Sequence, residues 1–171
     1  MKHYRVFDNV FTYRIRFDIE HFLKSFRYGL GWSDTKEKNN LLYIHARLFK
    51  KEMDEMGFFQ NIQNKDLLKA IDGRDPETVV ANVSFPGYYY FPHWHRNQES
   101  LVYYVNMEWK QEWAGETIVY EDDCENIHAC MPFSPGKVLW LNKDILHSMR
   151  PPSLNAPFYR FTISMFFNSR D

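Results

Sequence analysis

A mainly β fold, a sandwich or barrel preceded by helices, is what this sequence of 171 residues predicts. Three observations carry that expectation. From Thr78 to Phe167, short runs rich in β-branched and aromatic residues succeed one another, parted by Asn, Asp, Gly and Pro. Aromatic residues make up 18% of the chain, a composition that suits strands. Before Thr78 the apolar residues recur instead at helical spacing.

The elements follow in order. Val6–Arg16 mixes β-branched and aromatic residues and is expected to supply an outer strand. Asp18 suits a helix N-cap, and Ile19, Phe22, Leu23 and Phe26 form the apolar face of a short helix stopped by Gly29 and Gly31. Ser33–Asn40 reads as an exposed loop. Leu41–Met56 places Leu42, Ala46, Phe49 and Met53 on one helical face, with Gly57 as terminator, and Asp66–Ile71 adds one or two more turns. Strands are expected at Thr78–Phe85, Tyr88–His95, Leu101–Asn106, Thr117–Tyr120, Lys137–Leu141 and Tyr159–Phe167. Pro86-Gly87 marks a turn between the first two. With no internal repeat and no linker, residues 1–171 are expected to form one domain, helical over about 1–77 and β over about 78–168.

Lys and Arg total 21 against 22 for Asp and Glu, a net charge of -1. A nucleic-acid partner, which calls for a basic excess, is therefore not expected. Cys124 and Cys130 make no disulfide framework and no zinc knuckle, so ordinary thiols in a reducing compartment are expected. No apolar run approaches the roughly 18 residues of a membrane helix, and Met1–Asn9 lacks a signal peptide's apolar stretch. The expectation is a soluble, cytoplasmic protein with no membrane partner.

The chemistry-bearing residues lie between Pro92 and Phe167. Residues two apart on a strand share a face, so His93 and His95 can converge on one metal ion while Trp94 turns away. His147, remote in sequence, joins them only if the fold brings its strand alongside. Three ligands on one face leave positions for substrate and dioxygen on a redox metal such as iron(II). Taken singly, each piece has an ordinary alternative. A His-x-His pair also occurs on exposed strands, and a lone histidine is commonly a surface or hydrogen-bonded residue. Arg160, among Phe158, Tyr159, Phe161 and Ile163, needs an anionic partner, which a structural Asp or Glu would also satisfy.

Together, these pieces resemble the iron(II)/2-oxoglutarate-dependent dioxygenases, in particular the prolyl-4-hydroxylase-like branch. The resemblance covers Phe85–Phe167, about half the chain. It rests on Phe-Pro-Gly at 85–87, His-x-His at 93–95 and Tyr-Tyr-Val-Asn at 103–106. Ala-Gly-Glu-Thr at 114–117 stands where the family has Gly-Gly-Glu-Thr. Pro-Gly-Lys-Val-Leu-Trp-Leu at 135–141 precedes His147, and Arg-Phe-Thr at 160–162 is similar to the family's Arg-x-Ser/Thr. The resemblance implies a double-stranded β-helix (jelly-roll) barrel supported by helices. It implies Fe(II) held by His93 and His147, and 2-oxoglutarate bound at its distal carboxylate by Arg160, with Thr162 and Tyr104 hydrogen-bonding the same end. The implied reaction hydroxylates a small-molecule or peptide substrate, with 2-oxoglutarate converted to succinate and carbon dioxide.

One position departs from the family pattern: His95 stands where an Asp or Glu is normal. Either His95 is the third ligand of a three-histidine face, or Glu99 curls back to serve, or the site is degenerate. Family members that halogenate carry a small residue here, so a histidine favours hydroxylation. His-x-His followed by Glu99 is also similar to a cupin metal motif. However, His147 lies eleven residues past Gly136, too far for the second cupin motif, and Arg160 has no cupin role. A cupin-like dioxygenase without 2-oxoglutarate is the second reading, and a non-catalytic jelly-roll binding protein the third. Tyr88–Phe91, Trp109–Trp113 and a loop over Asp122–Phe133 are expected around the entrance.

Overall fold

The computed structural model describes residues 4–32, 43–88, 90–123 and 125–169. The first half of the chain contains strand β1 (Tyr4–Phe7), helix α1 (Tyr13–Ser25) and strands β2 (Gly29–Trp32) and β3 (Tyr43–Leu48). Helices α2 (Lys50–Glu55) and α3 (Lys65–Ile71) follow. The second half supplies β4 (Thr78–Ser84), β5 (Tyr90–His93), β6 (Gln98–Tyr104) and β7 (Thr117–Tyr120). It ends with β8 (Ile127–Met131), β9 (Val138–Leu141), β10 (His147–Met149) and β11 (Arg160–Asn168). They form two antiparallel sheets, a large one ordered β1-β9-β6-β11-β4-β3-β2 and a small one ordered β5-β10-β7-β8.

Strand alternation gives the large sheet two different faces. On β11, Phe161, Ile163, Met165 and Phe167 join Ile19 and Leu23 of α1 and Leu67 and Ile71 of α3 in the main hydrophobic core. The alternate residues Arg160, Thr162, Ser164 and Phe166 line a cavity that the small sheet also lines. Beside that cavity a smaller apolar cluster of Tyr104, Val119, Phe133, Leu139 and Leu141 joins the two sheets. One face of β11 therefore enters the main core while the other lines the cavity.

A buried amide fixes the start of β11. Asn106, 1% exposed, donates from Nδ2 to the Tyr159 carbonyl at 2.9 Å and accepts at Oδ1 from the Phe161 N–H at 2.8 Å. It thus clamps the backbone on both sides of Arg160. Asn106→Ala strands both backbone groups, and urea unfolding is expected to show a loss of about 2–4 kcal/mol. A loss below about 1 kcal/mol, the net worth of one ordinary hydrogen bond, would mean that the clamp does not bear on stability.

Several sequence expectations are corrected. The Val6–Arg16 stretch is strand only to Phe7, because Asn9 takes a left-handed backbone (φ 49) and Thr12 caps a helix there. The Thr12 hydroxyl accepts from the Ile15 N–H at 3.3 Å, so the helix begins before Asp18, which instead pairs with Arg14 at 3.9 Å. Within the expected helix Leu41–Met56, residues 43–48 form a strand, and helix begins only at Lys50; Leu41 and Leu42 lie outside the described residues, as does the loop Ser33–Asn40. The N-terminal part therefore carries three strands of the large sheet besides its helices. The Asp122–Phe133 stretch is not all loop, since β8 lies within it. Strands β2 and β10 likewise lie where the sequence pattern predicts none. No described helix is long and apolar enough to cross a membrane.

Candidate metal and anion site

The small sheet brings the histidines together. His147 on β10 is the direct antiparallel partner of His93 on β5, and β5 ends at His93, which frees His95 to turn back beside them. The ligand atoms of His93, His95 and His147 all lie within 4.8 Å of one another. Trp94 between them is turned out and is 49% exposed.

Two of the three imidazoles are oriented by the backbone. His93 Nδ1 lies 2.8 Å from the Phe91 carbonyl, and His147 Nδ1 lies 2.8 Å from the Ile145 carbonyl. A carbonyl can only accept, so in each ring Nδ1 carries the proton and Nε2 presents its lone pair. His95 makes no hydrogen bond among the described residues and rests on the Phe166 ring at 4.4 Å. Burial, with His93 as a secondary cause, lowers its pKa to about 3. Burial, then His93 and His95, holds His147 well below the usual histidine range. Both are neutral donors at neutral pH, and a set of neutral imidazoles suits iron, zinc, copper or nickel.

Glu99 does not join them. The register pairs it with Phe167, on the helix-packed face, while its neighbours Ser100 and Val102 face the cavity. Its carboxylate accepts from Arg74 at 2.7 Å and from the Trp140 indole at 3.3 Å.

Arg160 and Thr162 line the same cavity, of ≈ 90 Å³, as the three histidines. Arg160 is 4% exposed, and its Nε donates to the Gly115 carbonyl at 2.9 Å. Its guanidinium carbon lies 4.7 Å from the Phe133 ring centre and 5.7 Å from that of Tyr104. No described carboxylate lies within ion-pair distance of it, so a structural Asp or Glu is not its partner. Burial lowers its pKa to about 10, leaving it cationic at neutral pH. Such a group suits a carboxylate ligand. Tyr104 stands behind Arg160, outside the cavity lining, with its hydroxyl 3.0 Å from that of Thr117, which does line it.

The 114–117 stretch shapes this end. At Gly115 (φ +87) an added Cβ would meet Arg160 Cδ at 3.2 Å and Trp109 at 3.4 Å, so the glycine lets the arginine pass. Ala114 has φ 56 and ψ −144, close to a region that essentially only glycine enters. Ala114→Gly relieves that strain at some cost in unfolded-chain entropy. A net gain of about 1 kcal/mol is expected in thermal unfolding. A loss of stability would show that the alanine is unstrained there.

Trp109, Trp113 and Phe133 pack against one another at the Arg160 end and do not line the cavity, whereas Tyr90 does. The sequence reading missed Tyr43, His45 and Asn82, which line the large-sheet wall. The only signal for the first two was alternation within a stretch read as helix.

No family model matches the chain, and no curated protein matches it either. Solved structures do match. A Pseudomonas putida prolyl-4-hydroxylase aligns over 97% of this chain and 92% of its own at 12% identity, with a TM-score of 0.71. An oxidoreductase of the 2OG-Fe(II) oxygenase family from Burkholderia pseudomallei aligns over 99% and 86% at 9% identity, with a TM-score of 0.74. HygX from Streptomyces hygroscopicus, solved with nickel and 2-oxoglutarate bound, aligns over 98% and 83% at 9% identity, with a TM-score of 0.70. The chain thus has the jelly-roll fold of these oxygenases, with a His-x-His cluster at its centre.

Proposed function

We propose that this chain is a single-domain non-haem iron(II) oxygenase that uses dioxygen and 2-oxoglutarate to hydroxylate a substrate. The observation that carries the reading is the pairing, in one cavity, of three converging histidines with a buried arginine that lacks an ion-pair partner among the described residues. The fold of the matching oxygenases, a double-stranded β-helix with helices packed on the large sheet, supports it. A cupin-like centre leaves the buried Arg160 unexplained, and a binding module leaves the histidine cluster unexplained.

In this reading His93, His95 and His147 hold the metal through neutral nitrogens, the rings of His93 and His147 being oriented by the Phe91 and Ile145 carbonyls. Arg160 receives the distal carboxylate of 2-oxoglutarate, and Thr162, beside it on β11, donates its hydroxyl to the same end. Tyr104 steadies Thr117 and the guanidinium from behind. Iron(II) and 2-oxoglutarate, when bound, supply the oxidising chemistry that converts a substrate C–H bond to C–OH with release of succinate and carbon dioxide. The protein holds the reactants in register and excludes water, helped by Val119 and Met149, which are buried on the strands carrying and flanking His147.

Anaerobic titration with iron(II) and 2-oxoglutarate tests this. A weak visible charge-transfer band that needs both components is expected. Iron binding without the band points to a cupin-like site, and no metal binding points to a binding module. His95→Asp tests the third ligand: unchanged iron affinity and unchanged 2-oxoglutarate turnover would remove any special part for this histidine.

A further inference from the structure

We propose, resting on the function above, that the substrate carries an anionic group and that Arg47 at the cavity rim receives it. Charge within the cavity is the first argument. Its lining contains Arg160 and several histidines but no Asp or Glu among the described residues. A divalent metal ion held by three neutral imidazoles keeps both of its charges, whereas a carboxylate ligand would cancel one. Adding the Arg160 cation and then the two negative charges of 2-oxoglutarate leaves one positive charge among the groups in the cavity, with Glu116 acting on Arg160 from outside the lining. In a partly dry cavity that charge attracts an anion and disfavours a cation strongly.

The register of the large sheet gives the place. Arg47 pairs with Val80, and Val80 pairs with Ser164, so the three form one cross-strand row. Val80 and Ser164 both line the cavity, as does His45, two residues before Arg47 on the same face of β3. The Arg47 side chain is exposed, and its guanidinium carbon lies 5.5 Å from the centre of the Phe49 ring, itself 61% exposed. Arg47 has no carboxylate partner among the described residues. The Arg47 side chain thus lies one same-face step beyond the cavity-lining His45, exposed and without a carboxylate partner among the described residues, where it is available to a substrate oxyanion. Asn82 and Ser164, hydrogen-bonded to each other at 3.2 Å, supply polar contacts deeper on the same wall. The acidic side chains Glu121, Asp122 and Asp144 lie instead around a separate groove with the outward-facing Trp94.

The test uses the protein loaded with Mn(II) and saturating 2-oxoglutarate under anaerobic conditions, with binding of both established first. Acetate and acetamide, alike in shape and different in charge, are then added at equal concentration and ionic strength, and the relaxation of their methyl protons by Mn(II) is measured. Acetate is expected to be relaxed more than acetamide by about fivefold, the upper end for a partly exposed ion pair. Arg47→Gln is expected to remove most of that difference while leaving Mn(II) and 2-oxoglutarate affinities unchanged. Equal relaxation of the two probes would overturn the anionic substrate, and a preference for acetate that survives Arg47→Gln would overturn the assignment to Arg47; both leave the oxygenase function standing. Failure of Mn(II) or 2-oxoglutarate to bind, read before either probe is added, removes the function and this inference with it.

Discussion

Arg160→Met is expected to make the ligand-free protein more stable while weakening 2-oxoglutarate binding at least about 100-fold. The two effects have one origin. Arg160 is buried with no carboxylate against it among the described residues, so the folded chain carries the desolvation cost of an unpaired charge. A methionine fills similar volume without that cost. The lost bond from Nε to the Gly115 carbonyl takes back about 1 kcal/mol, so a net gain of about 1–3 kcal/mol remains. With 2-oxoglutarate and metal in excess the order reverses, because only the wild-type chain gains binding energy in the folded state. Thermal unfolding of both proteins, with and without ligand, reads the crossover. A variant that is destabilised in both conditions would mean that Arg160 serves the fold and not a ligand.

His147→Ala is expected to have the largest effect on metal binding, a loss of about 100-fold or more, measured by Mn(II) titration followed by electron paramagnetic resonance. His147 is the most enclosed of the three rings, at 8% exposed, and its Nδ1–H is fixed by the Ile145 carbonyl. Its Nε2 is therefore aimed before metal arrives, and little entropy is lost on coordination. His95 lacks such a bond, so His95→Ala is expected to cost less than His147→Ala. Equal losses would show that backbone orientation contributes nothing to affinity. Stability without metal is expected to change little, since the imidazole is neutral and the neighbouring rings can close over part of the space.

The body of the fold was legible because its strands keep a period of two with apolar residues on the buried side. Thr117–Tyr120 was read to the residue, and Thr78–Phe85 and Tyr159–Phe167 nearly so. The spacing of two shows that His93 and His95 can converge, whereas His147 joins them through β10, a strand the pattern does not predict, and the structure brings all three together. What stayed hidden was β3. Its Ile44, Ala46 and Leu48 face the helices while Tyr43, His45 and Arg47 turn to the cavity side, so a polar and aromatic face looked like the charged side of a helix. Ala46, Phe49 and Met53 happen to fall at helical spacing across the junction between β3 and α2. Cavity-facing polarity on a strand thus masked the strand. The role of Glu99 was also out of reach, since only the register with Phe167 decides which face its carboxylate takes.

The position of β11 has a consequence for how the protein comes to be folded. It follows every other described strand in the chain, yet it lies at the middle of the large sheet, between β4 and β6. Its neighbours are drawn from about 60 to 90 residues away, so its docking closes long loops and belongs to the slow, non-local class of folding events. Arg160 and Thr162 therefore take their places only when β11 has docked between β4 and β6. Fraying of the edge strands β1 or β2 leaves that centre intact, so amides of β11 are expected among the slowest to exchange with solvent.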